Sequence, residues 1–197
     1  MRIPLLVLWL MLPIGGIAYH EGPGQDRLKL DEVDTLLASA HDSAVAKDFG
    51  KAIEAYDKAL AGLPAEHESV ARHIRLERSK AWMLASKLPD ARAELETLVD
   101  EIARDAKPDT TMLAEARRSL ANAHYYTTWL MRLEGMPREV WEPEIDGARQ
   151  QYRLLAEGST VAADTGVQKK SKQDLEAAVL LSRLEIEELQ GLPIPGQ

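Results

Sequence analysis

One segment of the chain, from Leu36 to Pro64, reads LLASAHDSAVAKDFGKAIEAYDKALAGLP, and its residue spacing predicts a pair of packed helices. The informative residues recur at fixed offsets inside two helix-length windows: Leu36, Ala40, Ala52, Tyr56, Ala59 and Pro64. Small side chains at such positions let two helices approach closely. Asp48 is a suitable N-cap for the second helix, and Gly62 followed by Pro64 is a stop signal. The segment therefore predicts a helical hairpin.

Two later segments repeat this pattern with longer spacing. The second carries Ser79, Trp82, Ala91, Leu95 and Leu98 in helices predicted over about 66–86 and from Pro89 through Ile102 to a break at residues 107–109. The third has a long first helix, predicted from Thr110 to Leu133, and a second helix that opens at Pro143 and contains Ala148, Tyr152 and Leu155. Ala91 and Ala148 are 57 residues apart, and part of the excess falls in an insertion between residues 127 and 142.

These three segments resemble the tetratricopeptide repeat family, whose unit is a helix–turn–helix of about 34 residues. The resemblance implies an all-α fold: a right-handed α-solenoid of TPR-like hairpins over residues 31–157 with a concave binding face. A plain helical bundle with accidental alanine spacing is the alternative. After a loop at 158–171, Ser171 and Asp174 resemble a capping box for a C-terminal capping helix over 172–190, and residues 191–197 are predicted to be a loose tail.

The first eighteen residues predict export. Arg2 precedes an almost wholly apolar run, and Gly16 and Ala18 fit the small-x-small pattern of a cleavage site. Residues 1–18 are therefore predicted to be a signal peptide, with a short membrane anchor or a buried helix as alternatives. Residues 19–30 are predicted to be a flexible lead-in. The body would be periplasmic or secreted, and any membrane contact would come only through an uncleaved 1–18 segment.

Composition narrows the classes of function. The 197 residues are 45% hydrophobic but only 5% aromatic, which favours helices over sheets, and the net charge of −8 makes nucleic acid an unsuitable partner. The chain has no cysteine, so thiolate metal sites and cysteine nucleophiles are excluded. His67 and His73 are six residues apart, which places them on different faces of a helix. We therefore predict no catalytic residue, no metal and no cofactor.

Candidate partner-binding residues lie in the third segment. Arg118, Asn122 and Tyr125 are spaced four and three apart, so they form one stripe on a helix. The family register implies that this stripe and Tyr126 face the groove. It places Lys80 and His41 at the position of Asn122 in the earlier units. Arg118 would pair with a carboxylate and Asn122 would bond to peptide backbone. The alternative is a solvated polar face with Tyr125 or Tyr126 packed on a neighbouring helix.

The insertion is rich in large apolar side chains, which can be interpreted in two ways. Trp129, Met131, Met136 and Trp141 would form a partner-docking patch, or they would extend the core over the long helix. The sequence therefore predicts a non-catalytic scaffold or adaptor of the cell envelope that binds a protein or peptide through the concave face. Two other classes stay open: a structural accessory subunit of a membrane-associated complex that docks through residues 127–142, and an enzyme with carboxylates brought together from distant helices.

Overall fold

A computed structural model describes residues 23–157, 165–185 and 188 of the chain. Within these residues the backbone forms seven helices and no strand: α1 (Pro23–Val45), α2 (Phe49–Gly62), α3 (Glu68–Leu84), α4 (Leu88–Arg104), α5 (Thr110–Leu133), α6 (Arg138–Glu157) and α7 (Thr165–Arg183). The all-α prediction is confirmed for this part of the chain. The predicted signal peptide (1–18) and tail (191–197) lie outside the described residues.

The fold divides into two compact units, and the boundary falls between Ile74 and Arg75 inside α3. In the first unit, α1 packs against α2. The alanines of the leading segment, Ala40, Ala52 and Ala59, have no exposed surface. Asp48 caps α2, because its Oδ1 accepts a hydrogen bond from the Lys51 amide at 3.2 Å. The predicted small-residue contact and the predicted cap are both present in this hairpin.

Three helices, α1, α3 and α5, end in the same way. The second residue after each has a positive φ: 61° at Lys47, 61° at Ser86 and 71° at Gly135. The amide of the next residue then donates a hydrogen bond to the carbonyl five residues earlier, which is the Schellman geometry of a helix C-terminus. These bonds run from Asp48 to Ser43 at 2.8 Å, from Lys87 to Trp82 at 2.8 Å and from Met136 to Met131 at 2.9 Å. Since two of these positions are not glycine, the sequence gives little sign of the repeated cap.

The third hairpin is longer than the first two at its turn. Seven residues separate Ala40 from the cap at Lys47, and seven separate Ser79 from Ser86, whereas fourteen separate Ala121 from Gly135. The extra seven residues are about two helical turns. The second helix is extended by a similar length, because α6 begins at Arg138 and not at the predicted Pro143, which lies inside the helix. The insertion at 127–142 therefore forms the elongated end of the α5–α6 hairpin.

The second unit contains two apolar cores. In the first core, α4 packs between α3 and α5: Leu76, Leu95, Leu98, Val99, Ile102, Met112, Leu113, Ala116, Leu120 and Ala123. The Arg75 guanidinium also joins α3 to α4 by binding Glu94 and Glu101. The second core lies between α5, α6 and α7: Ala121, Tyr125, Trp141, Ile145, Ala148, Tyr152, Ala177, Ala178 and Leu181. Helix α7 thus covers the apolar face of α6.

Several predicted boundaries need correction. Residues 23–30 of the predicted lead-in are helical, and Pro23 is the first residue of α1, where proline's fixed φ and missing N–H are tolerated. Helix α7 begins at Thr165, inside the loop predicted for 158–171, and ends at Arg183, before the predicted residue 190. Ser171 and Asp174 are mid-helix residues with 1% and 6% exposure, so they do not form a capping box.

Candidate functional site

The second unit contains a half-open cavity of about 790 Å³. One wall is a face of α5, another is the end of α3 with the turn into α4, and α7 contributes Lys170. Four of the six residues predicted to bind a partner line this cavity: Lys80, Arg118, Asn122 and Tyr126. The structure therefore brings these four together, and their role in binding stays a prediction.

The α5 wall follows directly from helical geometry. Its lining residues recur at spacings of three and four, so they share one side of the helix: Glu115, Arg118, Ser119, Asn122, Tyr126, Trp129 and Leu130. The α5 N-terminus is fixed by Asp109, whose Oδ1 accepts hydrogen bonds from the amides of Thr111 and Met112 at 3.0 Å each. Extending the predicted stripe by the same spacing would have found Glu115 and Trp129 from the sequence.

The α3 side of the cavity combines one neutralised cation with apolar side chains. Lys80 binds Glu77 at 2.7 Å and also pairs with Glu115 of α5. Burial opposes the charge of this lysine, but its hydrogen bonds with Glu115 and Glu77 raise the pKa of Lys80 overall. Met83, Leu84, Leu88 and Pro89 supply the apolar part of the lining. Because Lys80 already has two carboxylate partners, it is poorly placed to be the main anion-binding group.

Asn122 is held in one orientation by a residue behind the cavity. The Tyr152 hydroxyl donates a hydrogen bond of 2.7 Å to Asn122 Oδ1. Tyr152 has no exposed surface, and burial raises the pKa of its hydroxyl, so the group stays protonated and able to donate. Because Oδ1 already accepts this bond, the side-chain NH2 of Asn122 is the group that can donate to a ligand in the cavity. The sequence shows both residues, but only the packing of α6 on α5 brings them together.

Arg118 is the cation available to an anionic ligand. It lines the cavity, and among the described residues it forms no ion pair or hydrogen bond, with its buried Nε lacking an acceptor. Other arginines of this unit, such as Arg75 and Arg92, bind carboxylates of neighbouring helices. A guanidinium with unused donors can accept a carboxylate in a bidentate pair. Arg118 is therefore the residue best suited to anchor a ligand.

Two predicted groove residues are elsewhere. Tyr125 is 2% exposed and packs in the core with α6 and α7, and burial raises its pKa to about 12. At about 100° per residue it lies only about 20° from Arg118, on the side of Ala121, so it falls at the edge of the cavity face. Only the position of α7 makes that side interior. His41 is an exposed residue of α1 in the first unit and is not among the residues that line the cavity.

The predicted docking patch divides between core and surface. Trp141 is 8% exposed and belongs to the second core, which favours its interpretation as an extension of the core over the docking role. Trp129 and Met131 are partly buried and pack against the same core, and Trp129 also lines the cavity. Met136 is exposed. It has exposed apolar neighbours in the same hairpin end, with exposed fractions of 44–49% for the set: Leu130, Leu133, Met136 and Val140.

A buried polar cluster outside the cavity was missed by the sequence reasoning. His124 Nδ1 lies 2.8 Å from Glu144 Oε2, and Arg92 Nη1 lies 3.0 Å from Glu144 Oε1, so α4, α5 and α6 meet at one carboxylate. Gly147 makes room for the imidazole, since a Cβ there would lie 3.0 Å from the His124 ring. His124 Nε2 is 3.7 Å from Glu96. No nucleophilic side chain joins these residues in the interactions described, so we interpret the cluster as a structural tie.

This cluster gives the chain a predicted acid sensitivity. The hydrogen bond from His124 lowers the pKa of Glu144 below its usual 4.5, against the effect of burial. A lowered folded-state pKa means that the carboxylate stabilises the fold fully above about pH 4.5 and loses this effect as the pH falls through the folded-state pKa. Glu144→Gln is expected to cost about 2 kcal/mol of unfolding free energy near neutral pH and progressively less as the pH falls below about 4.5.

Urea unfolding at several pH values measures this difference. Glu142→Gln is the matched control, because Glu142 is 44% exposed and pairs only with the exposed Arg138. It is expected to change stability by less than about 0.5 kcal/mol at any pH. A Glu144→Gln cost that does not vary with pH would show that the ionised carboxylate is not the stabilising form.

Three comparisons add no relative and no assigned site. No protein-family model, curated protein or solved structure matches this chain. Among the described residues, no three His, Cys, Asp or Glu side chains are grouped so as to hold a metal ion. A helix with the length and apolar character to cross a membrane is also absent from that part of the chain. A function for this chain therefore has to be inferred from the residues that line the cavity.

Proposed function

We propose that this protein is a non-catalytic scaffold or adaptor that binds a segment of a partner protein in the cavity of the second unit. The observation that carries the proposal is Arg118, a cation with no carboxylate partner among the described residues, at a cavity whose other walls are largely apolar. A site with one charged anchor and apolar walls suits recognition of a peptide more than catalysis, because its acid and base, Glu115 and Lys80, are already paired with each other.

The proposal includes the TPR-like solenoid predicted from the sequence. It is supported by the burial of small residues at corresponding positions, since Ala40, Ser79 and Ala121 all have no exposed surface. The cap shared by α1, α3 and α5 gives further support, because a repeated unit requires a repeated turn. Export through residues 1–18 also belongs to the proposal and depends on the sequence pattern alone.

A second candidate function is a structural subunit that docks through the hairpin end. It is favoured by the four large apolar side chains exposed there: Leu130, Leu133, Met136 and Val140. Exposed apolar clusters of this kind mark interaction surfaces in soluble proteins. Leu130 belongs to both surfaces, but Leu133, Met136 and Val140 are not among the residues that line the cavity, so these three distinguish docking from peptide binding.

Site-specific photo-crosslinking in the native host separates the two functions. A photo-reactive phenylalanine derivative is placed at position 84, in the cavity lining, at position 136 on the hairpin end, or at position 154 on α6 as a surface control. The expected result is a discrete adduct from position 84 and none from position 154. Arg118→Glu should remove most of the position 84 adduct, with thermal unfolding confirming that the variant is folded.

The pattern of adducts identifies the function. An adduct from position 136 that persists in Arg118→Glu would favour the structural subunit. Adducts of equal intensity from positions 84 and 154, or none from position 84, would contradict peptide binding in the cavity.

A further inference from the structure

We infer that the cavity takes an extended segment of about six residues with an acidic side chain at one end and a bulky apolar side chain at the other. This inference rests on the proposed function and specifies the chemistry of its partner. The features that define the ligand are the length of the cavity, the uneven distribution of charge along it and the amide donor in its middle.

The length comes from α5. Lining residues run along this helix from Glu115 to Leu130, fifteen residues apart. At 1.5 Å per residue this is a path of about 22 Å. An extended chain covers about 3.3–3.6 Å per residue, so the path fits roughly six residues. A helical ligand of the same length would need about fifteen residues, more than a cavity of about 790 Å³ can enclose.

Charge is concentrated at one end of this path. Lys80 of α3 pairs with Glu115, the first residue of the path, so this cation lies at the start of the path. Arg118 follows about one helical turn later. With Lys170 from α7, the lining holds three cationic side chains. They are opposed by Glu115 in the lining and by Glu77 beside Lys80, which leaves an excess of one positive charge on a chain whose net charge is −8. A carboxylate is the complementary group, and Arg118 is the cation with unused donors.

The other end is apolar and aromatic. Tyr126, Trp129 and Leu130 lie eight to twelve residues beyond Arg118, which is about 12–18 Å along the helix. Trp129 is partly buried against the second core, so its ring is held in place, and Leu130 is 44% exposed. A bulky aliphatic or aromatic side chain would bury apolar surface here. Between the ends, the Asn122 amide group can donate to a backbone carbonyl of the segment.

Synthetic six-residue peptides test this chemistry. The probes have acetylated N-termini and amidated C-termini, with glutamate at one end, leucine at the other and alanine and serine between, made in both orders. Matched peptides carry glutamine for glutamate, or serine for leucine. A fluorophore reports binding by anisotropy to the full-length chain. The glutamate peptide of one order is expected to bind at least about tenfold tighter than its glutamine counterpart.

Protein variants assign the contacts. Arg118→Gln should abolish the tenfold preference for glutamate, whereas Arg104→Gln, an exposed arginine of α4 outside the cavity lining, should leave it intact. Leu130→Ser should weaken the leucine peptide and leave the serine peptide unchanged. A further peptide with glutamine and a free C-terminal carboxylate distinguishes an internal acidic side chain from a chain terminus.

The inference is overturned by any of three results. These are equal binding of the glutamate and glutamine peptides, a preference that survives Arg118→Gln, or tighter binding of the free-carboxylate peptide. Absence of binding by every peptide at about 1 mM overturns it as well. The proposed function can hold even if this peptide chemistry is wrong, and the crosslinking experiment tells the two outcomes apart. If position 84 still gives an adduct that is lost in Arg118→Glu, a partner binds the cavity with chemistry other than this.

Discussion

Replacing Arg132 with alanine is expected to lower the free energy of unfolding by about 3 kcal/mol. Arg132 is 7% exposed and donates hydrogen bonds to the carbonyls of Leu181 and Leu184 at the end of α7. Its guanidinium also lies 4.9 Å from the centre of the Trp141 ring. Burial lowers the pKa of this arginine, so the carbonyls and the aromatic face must compensate for lost hydration.

Two further variants make the Arg132 prediction specific. Arg132→Met keeps apolar contact with Trp141 but cannot bond to the carbonyls, and it is expected to recover only about 1 kcal/mol of the loss. Arg104→Ala is the control, because Arg104 is 76% exposed and should matter by less than about 0.5 kcal/mol. Urea unfolding and hydrogen exchange of α7 amides measure these effects. An Arg132→Met chain as stable as the parent would show that the carbonyl bonds do not hold α7.

Trp141→Ala is expected to cost about 3–5 kcal/mol, the usual range for deleting a buried aromatic side chain. Trp141 packs in the core shared by α5, α6 and α7, beneath Arg132. Met136 was predicted to belong to the same patch but is 44% exposed, so Met136→Ala should change stability by less than about 0.5 kcal/mol. Thermal or urea unfolding of the two variants separates the core residue from the surface residue.

The opposite result would restore the docking interpretation of Trp141. If both variants unfold like the parent and Trp141→Ala instead removes a crosslink formed from position 136, the side chain serves a partner and not the core. Because Trp141 and Arg132 touch, their losses should not add. The double variant is expected to lose less than the two single variants together.

The helices were largely predictable because their signals are local. Periodic apolar positions, Asp48 as a cap and the breaks near Pro64 and Pro108 act within a few residues of chain. The failures occurred where such signals are weak. Pro143 suggested a helix start but lies inside α6, and the polar residues before Ser171 suggested a loop but form the first turns of α7. At Pro143, packing of α6 against α5 and α7 outweighs the local preference.

The candidate site was predictable along one helix and not between helices. Spacing alone placed Arg118 and Asn122 on one face of α5, because the helical period fixes which residues are neighbours. It could not separate Tyr125 from Tyr126. The first is buried under α7 and the second lines the cavity, although they are adjacent in sequence. The hydrogen bond from Tyr152 to Asn122 joins residues thirty positions apart and depends on the contact between α5 and α6.

The amino-acid sequence by itself determined an acidic, cysteine-free chain of helical hairpins with small residues at regular intervals, since these follow from composition and from the period of a helix. Only the tertiary structure decided which side of each helix is interior, and so which residues became cavity, core or surface. The physical reason is that burial is a property of a helix and its neighbours together. Arg118, Trp141 and Met136 acquired their different environments from packing partners distant in the chain.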